Sequence, residues 1–162
     1  MTAIRPATDE DWPEIFPFFS AIVAGGETYA YPEGLSLDEA RPLWMEPPPG
    51  GTVVAEADGM IVGSAKMGPN RAGRGAHIAT ASFMIDPTQQ GKGIGRMLGQ
   101  HVVEWARAAG YHGMQFNAVV ETNTTAVALW QSLGFEILTT VPEAFDSRAH
   151  GRVGLHIMYQ RL

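Results

Sequence analysis

A glycine-rich segment, residues 85–96, has the residue types and spacing to bind an anion. It runs from an apolar stretch into a helical pattern through three alternating glycines, Gly91, Gly93 and Gly95. Glycine lets a backbone approach a bound group closely, and the N–H groups at a helix start carry partial positive charge. Lys92 and Arg96 add full positive charge. The segment therefore predicts a phosphate or pyrophosphate site.

Spacing separates the nucleotide-site patterns that compete for this segment. A Walker A loop requires Ser or Thr directly after its Lys, but Lys92 is followed by Gly93. A Rossmann fingerprint requires G-x-G-x-x-G, but Arg96 stands at the third glycine position, and about three strands precede the segment. The first pattern is excluded and the second is disfavoured. A connector that binds nothing stays open as an interpretation.

Two motifs carry a resemblance to a known family. Residues 90–95, Gln-Gly-Lys-Gly-Ile-Gly, match the signature [QR]-x-x-G-x-[GA]. Downstream, residues 123–135 are similar to the pattern N-x-x-A-x-x-L-Y-x-x-x-G-F. On these residues the chain resembles the GNAT superfamily of acetyl-CoA-dependent N-acetyltransferases. The resemblance spans residues 3–161, with the specific motifs inside 79–136.

The resemblance implies acetyl-CoA as the acetyl donor and a set of residues that bind it. Backbone groups of a strand edge would pair with the pantetheine amides, the glycine-rich amides would hold the pyrophosphate, and an Asn side chain would contact the cofactor. An N–H near Ile85 would polarise the thioester carbonyl as an oxyanion site. The implied cofactor-binding residues are Phe83, Met84, Ile85, Gln90, Gly91, Lys92, Gly93, Ile94, Gly95, Arg96 and Asn123.

The familiar proton-handling groups are missing at two places. Trp130 stands where many members carry a Tyr that protonates the leaving thiolate, and Ala118 stands where some carry a Glu base. An amine with a pKa near 10 must still lose a proton before it attacks. The remaining candidates for that role are Glu27, Glu121 and Tyr29. We expect Glu27 or Glu121 to act as base through water.

Composition limits the function classes. Lys and Arg total 11 against 17 for Asp and Glu, a formal net charge of -6, which argues against nucleic-acid and membrane partners. The absence of Cys excludes disulfides and a Cys nucleophile, and the five His lack metal-ligand spacing, so we assign no metal. No signal-peptide pattern and no run of about 18 apolar residues occurs, so we expect a cytoplasmic protein.

Helix and strand patterns alternate along the chain and predict a single domain over residues 1–162. Capping boxes at Thr8 and Ser36 open two helices, and Asp58-Gly59 joins two strands in a hairpin. The predicted elements are helices at 8–25, 36–46, 94–109 and 124–133, and strands at 52–57, 60–67, 77–85, 114–120, 135–141 and 152–159. We expect an α/β (α+β) fold: a largely antiparallel sheet of about six to seven strands, flanked by about four helices. The GNAT resemblance implies that the central strands splay apart.

These expectations combine into an enzyme hypothesis. We expect acetyl transfer from acetyl-CoA to the primary amine of a small molecule by direct attack, because no Cys is present to carry an acyl-enzyme. Residues 27–34 and 141–151 are read as loops near the acceptor, and they resemble a subgroup that acetylates amino acids and analogues such as phosphinothricin. The alternatives are a non-catalytic acyl-CoA sensor, a protein amine as acceptor, and a nicotinamide-dependent reductase. A homodimer through an edge strand is compatible with this fold.

Overall fold

The computed structural model describes residues 1–162, which form seven strands and four helices. The strands are β1 (Thr2–Pro6), β2 (Gly51–Ala57), β3 (Met60–Pro69), β4 (Ile78–Ile85), β5 (Gly113–Val120), β6 (Glu136–Ser147) and β7 (Gly151–Arg161). The helices are α1 (Trp12–Gly25), α2 (Leu37–Trp44), α3 (Ile94–Ala108) and α4 (Thr124–Ser132). The expected mixed α/β fold is confirmed.

All seven strands join one sheet in the order β1-β2-β3-β4-β5-β7-β6. Every neighbouring pair is antiparallel except β4 and β5, which run parallel. Alternate side chains of the strands point to opposite faces. On one face, Val54 and Met84 pack with α1 and α2 around Trp12 and Trp44; on the other, Val53 and Ala65 pack with α3 and α4. The sheet therefore has a core on each face.

Local sequence signals explain where several elements begin and end. The Ser36 hydroxyl accepts from the Glu39 N–H at 3.1 Å, and the Glu39 carboxylate accepts from the Ser36 N–H, so the second capping box is confirmed. Asp58 and Gly59 both adopt positive φ, 51° and 76°, as a two-residue hairpin turn with matching twist requires. The β2–β3 hairpin is confirmed.

The two central strands, β4 and β5, pair over a very short distance. Their parallel register contains only Ile78 with Gly113 and Ala79 with Met114. The next strand, β7, follows β5 with an irregularity between Phe116 and Val119. Beyond Ala79, β4 and β5 separate, and the sheet opens into a gap. The expected splay is present.

At the ends of the sheet, one strand was not predicted and one prediction is wrong. The N-terminal residues form β1, which pairs with β2 from Thr2↔Ala57 to Pro6↔Val53, although the segment is short and ends in Pro. Residues 141–151, predicted as a loop, mostly belong to the β6–β7 hairpin, which pairs as far as Ser147↔Gly151. The β6 ladder is interrupted between Val141 and Phe145, where Glu143 has a φ of 52°. Residues at this irregularity have the sequence pattern of a connecting loop. The strand nevertheless continues beyond it, because β6 pairs with β7 on both sides.

The outer edge of the sheet on this side is β6, which exposes Ile137, Leu138 and Val141. The homodimer stays a prediction. No helix combines the length and apolar character that crossing a bilayer would require.

The first turn before α1 is held by an ion pair that ties it to the sheet. Arg5 of β1 donates to both carboxylate oxygens of Asp11, at 2.8 and 3.0 Å, and the Thr8 N–H donates to Asp11 Oδ2 at 2.7 Å. These bonds, the Arg5 bond first, lower the pKa of Asp11 from 3.8 to about 2. The predicted cap at Thr8 opens a 3-10 turn at Asp9–Asp11, and α1 follows from Trp12.

We expect Asp11→Asn to destabilise the protein in a pH-dependent way. A carboxyl whose pKa is lower in the folded state stabilises above its unfolded value, 3.8, and that contribution disappears as the pH falls towards about 2. The difference in free energy of unfolding between wild type and variant should be constant above pH 4 and shrink below it. Urea titrations at several pH values measure it. Asp38→Asn, in the first turn of α2, is the control, and an equal pH dependence for both variants would contradict the assignment.

Candidate functional site

A cleft of about 1220 Å³ opens where β4 and β5 separate. One wall is formed by the end of α1 and the loop after it, the other by the start of α3 and by α4, and Phe145 and Leu155 of the β6–β7 hairpin close one end. Small-molecule sites commonly measure roughly 300–1,000 Å³. The cleft therefore has room for a large ligand, or for two ligands side by side.

The edge of β4 in the gap is partnered by a side chain. The Tyr29 hydroxyl donates to the Phe83 carbonyl at 2.5 Å and accepts from the Phe83 N–H at 2.8 Å. Backbone groups alternate direction along a strand, and the Asp86 N–H bonds to Val62 of β3. Phe83 and Ile85 therefore direct their N–H and C=O groups into the gap, whereas those of Met84 face β3, where it pairs with Ser64. At Phe83, the Tyr29 hydroxyl makes the two hydrogen bonds that a neighbouring strand would otherwise make.

Burial fixes the ionisation state of Tyr29. The ring stacks on Tyr31 with centroids 5.7 Å apart and meets Trp44 edge-on. Desolvation raises the pKa of Tyr29 well above its ordinary value. Its phenol is therefore protonated at neutral pH, which makes it a hydrogen-bond partner and a poor proton acceptor.

The glycine-rich segment places free N–H groups at one end of the cleft. Within α3, the Met97 N–H is the first to donate to a carbonyl four residues earlier, that of Gly93. The N–H groups of Ile94, Gly95 and Arg96 therefore have no hydrogen-bond acceptor in the protein. Gly91 and Gly93 have φ values of 79° and 78°, a conformation that side chains with a Cβ rarely adopt. A Cβ at either glycine would meet no atom within 4 Å. The segment thus has the free donors and the open space that an anion requires.

The structure brings most of the predicted cofactor-binding residues together. The cleft is lined by Phe83, Met84, Ile85, Gln90, Gly91, Gly93, Ile94, Gly95, Arg96 and Asn123. Lys92 does not line it; its ammonium donates to Gln89 Oε1 at 2.8 Å on the exposed side of the segment. Arg96 reaches from α3 to Ser132, the last residue of α4, at 2.9 Å, and this bond orients its guanidinium.

The α4 wall combines a helix cap with an aromatic cluster. Asn123 caps α4, its Oδ1 accepting from the Ala126 N–H at 3.4 Å. Trp130 is 7% exposed and packs against the rings of Phe83 and Phe116, at centroid distances of 4.5 and 5.1 Å. Its indole serves as packing between the separated strands. The departure from Tyr at this position is therefore accommodated by the core.

Glu27 lies on the wall opposite the free amides. Its Oε2 accepts from the Ser147 hydroxyl at 2.6 Å and its Oε1 from the Ala149 N–H at 2.8 Å. The Ser147 bond, followed by the Ala149 bond, lowers the pKa of Glu27. The carboxylate is therefore charged at neutral pH and held in one orientation by the tip of the β6–β7 hairpin.

Glu121 is not part of the cleft lining. Its Oε1 accepts from the Gly154 N–H of β7 at 2.9 Å, and its side chain lies against that strand. Of the two carboxylates that the sequence singles out, the fold brings only Glu27 to the gap. No cluster of His, Asp and Glu able to hold a metal ion is present.

Sequence reasoning missed two residues beside Glu27. Ser147 orients the carboxylate from 120 positions away, and no local pattern connects the two. Thr28 lines the cleft, and its Oγ1 is buried without a hydrogen-bond partner. The density of Tyr and Glu in residues 27–34 was the only signal for this region.

Comparisons with known proteins agree with this geometry. The model of the acetyltransferase (GNAT) family matches residues 7–135. The L-amino acid N-acyltransferase MnaT of Escherichia coli is 30% identical over 126 residues, covering 77% of this chain and 70% of that protein. The L-methionine sulfoximine/L-methionine sulfone acetyltransferase of Salmonella typhimurium is 32% identical over 110 residues, covering 67% and 61%. Matches to two other curated relatives cover only 43% and 15% of their lengths.

Solved structures share the whole fold. A GCN5-related N-acetyltransferase from Kribbella flavida superposes with a TM-score of 0.96 at 55% identity, covering 99% of this chain and 98% of that one. The acetyltransferase yncA from Salmonella typhimurium, solved with acetyl-CoA, gives 0.85 at 26% identity, covering 100% and 94%. A phosphinothricin acetyltransferase from Sinorhizobium meliloti, also with acetyl-CoA, gives 0.87 at 22% identity, covering 99% and 88%, and shares the fold alone.

We expect Tyr29→Phe to destabilise the unliganded protein. Losing the hydroxyl leaves the N–H and C=O of Phe83 without a partner, which costs about 1–3 kcal/mol. Urea unfolding measures the change. Tyr31→Phe removes the hydroxyl of the neighbouring stacked ring and is the control. Equal losses in the two variants would contradict the role of Tyr29 as the partner of β4.

Proposed function

The chain belongs to the acetyltransferase (GNAT) family, and we propose that it transfers the acetyl group of acetyl-CoA to the primary amine of a small molecule. The relatives named as amino-acid and methionine sulfoximine acyltransferases support a small acceptor. Transfer takes place by direct attack while donor and acceptor are both bound. A cytoplasmic location stays a prediction.

One observation carries the proposal: a strand edge without a neighbouring strand and a set of free helix amides share one cleft. The edge residues Phe83 and Ile85 offer backbone donors and acceptors at the spacing of an added strand, which suits the amides of a pantetheine arm. The amides of Ile94 to Arg96 suit a pyrophosphate. The residues present therefore fit acetyl-CoA.

The chain's own groups act by binding and orientation. Bound acetyl-CoA supplies an activated thioester. The Ile85 N–H in the gap is positioned to stabilise negative charge on the thioester oxygen. Tyr29 would give up one or both of its bonds to Phe83 if a donor arm paired with that residue. The cleft would hold the amine beside the thioester, so that a bimolecular reaction becomes effectively unimolecular.

Bonds and protons balance in a direct transfer. The amine nitrogen forms a bond to the acetyl carbon, and the carbon–sulfur bond breaks. An ammonium substrate releases two protons in all, of which one ends on the CoA thiol and the other in solvent. A thiol with a pKa near 8.5 departs without a strong acid, so Trp130 in place of Tyr does not block the reaction. Proton acceptance by Glu27 through water remains our proposal, because its carboxylate lines the cleft.

A second function has a specific observation behind it. Trp130 is packed in the aromatic cluster, and Ala118 lines the gap where a base would lie, which favours a non-catalytic acyl-CoA-binding module. Thiol release from acetyl-CoA in the presence of a broad panel of primary amines separates the two. Amine-dependent release with an acetylated product supports the enzyme, and acetyl-CoA binding without turnover supports the module.

We expect Gly93→Ala to weaken CoA binding at least about tenfold, or 1.4 kcal/mol. The new methyl group meets no protein atom within 4 Å and enters the open cleft beside the free amides. Gly59→Ala is the matched control, because Gly59 has a φ of 76° against 78° and equally open surroundings, and it lies in the β2–β3 turn. Both variants carry the same backbone strain. Calorimetric titration with CoA measures the affinities, and equal values would remove the anion role of this segment.

We expect Glu27→Gln and Glu121→Gln to differ in the pH dependence of kcat. The pKa of Glu27 is lowered, so its carboxylate is charged throughout pH 6 to 9 and the wild-type kcat should be flat there. Glu27→Gln should lower kcat at pH 7 by about 10²-fold, and its kcat should rise with pH as solvent supplies the neutral amine. Glu121→Gln is the comparison. Wild-type rates in both variants across this range would exclude both carboxylates as the base.

A further inference from the structure

The residues that line the cleft carry only two formal charges, one on each of its two walls. Arg96 lies in the first turn of α3, beside the free amides, and Glu27 lies in the loop after α1. The first position suits the phosphates of the donor. Glu27 is therefore the only charged side chain in the cleft lining that is left to recognise the acceptor.

Glu27 has the surroundings of a fixed anion. Ser147, which is 3% exposed, and the Ala149 amide orient its two oxygens. The neighbouring Arg148 does not cancel this charge, because its guanidinium pairs with Glu33 at 2.6 Å and also donates to the Ala24 carbonyl. Two carboxylates and one guanidinium leave one net negative charge at this wall.

Most of the residues between the two charges are apolar or aromatic, and polar side chains such as Thr80, Ser82 and Asn117 lie among them. Tyr29 and Tyr31 form a stacked pair on one side, and Phe145 and Leu155 contribute from the β6–β7 hairpin. Lys66 does not line the cleft; its ammonium donates to the Leu43 carbonyl at 2.7 Å and lies over the Tyr31 ring. The buried Thr28 hydroxyl beside Glu27 has no partner and offers a neutral hydrogen bond.

We propose that the acceptor is a small primary amine whose only charge is its ammonium group, carried on an apolar or aromatic body without a carboxylate, and that Glu27 determines this specificity. The inference rests on the proposed function. An ammonium near Glu27 is attracted to its carboxylate through the same water that relays its proton. A carboxylate on the same substrate would lie near the Glu27 carboxylate, and no cation lines that wall of the cleft.

This proposal distinguishes the chain from its named relatives. Amino acids and methionine sulfoximine carry a carboxylate next to the amine, and relatives at 30% and 32% identity are named for them. A simple amine of the same body lacks that group. The protein's net charge of -6 also favours the approach of cations over zwitterions.

Matched substrates test the proposal. With saturating acetyl-CoA, kcat/KM is measured for phenethylamine and phenylalanine, for tyramine and tyrosine, and for the methyl esters of the two amino acids. We expect each amine to exceed its amino acid by at least about tenfold, because the amino acid's carboxylate would be repelled by Glu27 and would find no cation on that wall of the cleft. Each ester, which has lost the carboxylate charge, should recover most of the difference. Amino acids that equal or exceed the amines would overturn the substrate class.

Glu27→Gln tests the residue, since it keeps the shape and removes the charge. It should raise the KM for tyramine at least about tenfold, reduce the preference for amine over amino acid, and leave the acetyl-CoA affinity unchanged. Glu14→Gln, on the exposed side of α1, makes the same change in net charge and should alter none of these values. An unchanged preference in Glu27→Gln would overturn the role of Glu27. Absence of turnover with every amine, while acetyl-CoA still binds, would remove the proposed function and this inference with it.

Discussion

The separation of β4 from β5 is the constraint on which the rest of the site depends. A parallel pair that is hydrogen-bonded at only two positions leaves backbone donors and acceptors exposed inside the sheet. Such groups need partners, and the protein provides one with the hydroxyl of Tyr29, which both donates to and accepts from Phe83. The loop after α1 is thereby drawn over the gap. The same edge is then available to any ligand that offers a strand-like pattern of amides.

The aromatic cluster explains how the strands stay apart without a ligand. Phe83 from β4 and Phe116 from β5 meet edge to face with centroids 5.8 Å apart, and Trp130 of α4 lies against both. Phe135 stacks on Phe116 from the far side. Large rings fill the space that a continuous ladder would have closed. Replacement of Tyr by Trp at position 130 is therefore consistent with a structural demand on this wall.

The acceptor end of the cleft is built from two segments that are distant in sequence. Glu27 bonds to Ser147 and Ala149, the Arg148 N–H donates to the Gly26 carbonyl, and Arg148 pairs with Glu33. The hairpin tip and the loop after α1 are thus held together by these contacts. This contact sets the charge pattern of the cleft, in which Arg96 lies on the α3 wall and Glu27 lies on the wall formed by the loop after α1.

Sequence alone determined the elements whose signals are local: the capping box at Ser36, the turn at Asp58-Gly59, the amphipathic α3, and the glycine-rich segment with its family signature. Each depends on residues within a few positions of one another. Tertiary structure decided what depends on distant partners. It extended β6 past an irregularity because β7 pairs with it, and it added β1 because β2 offers an edge. It also turned Tyr29 from a candidate base into a backbone partner, because burial raises its pKa. Glu27 and Glu121 look equivalent in sequence, but only one reaches the cleft, because the path of the sheet sets where a carboxylate points.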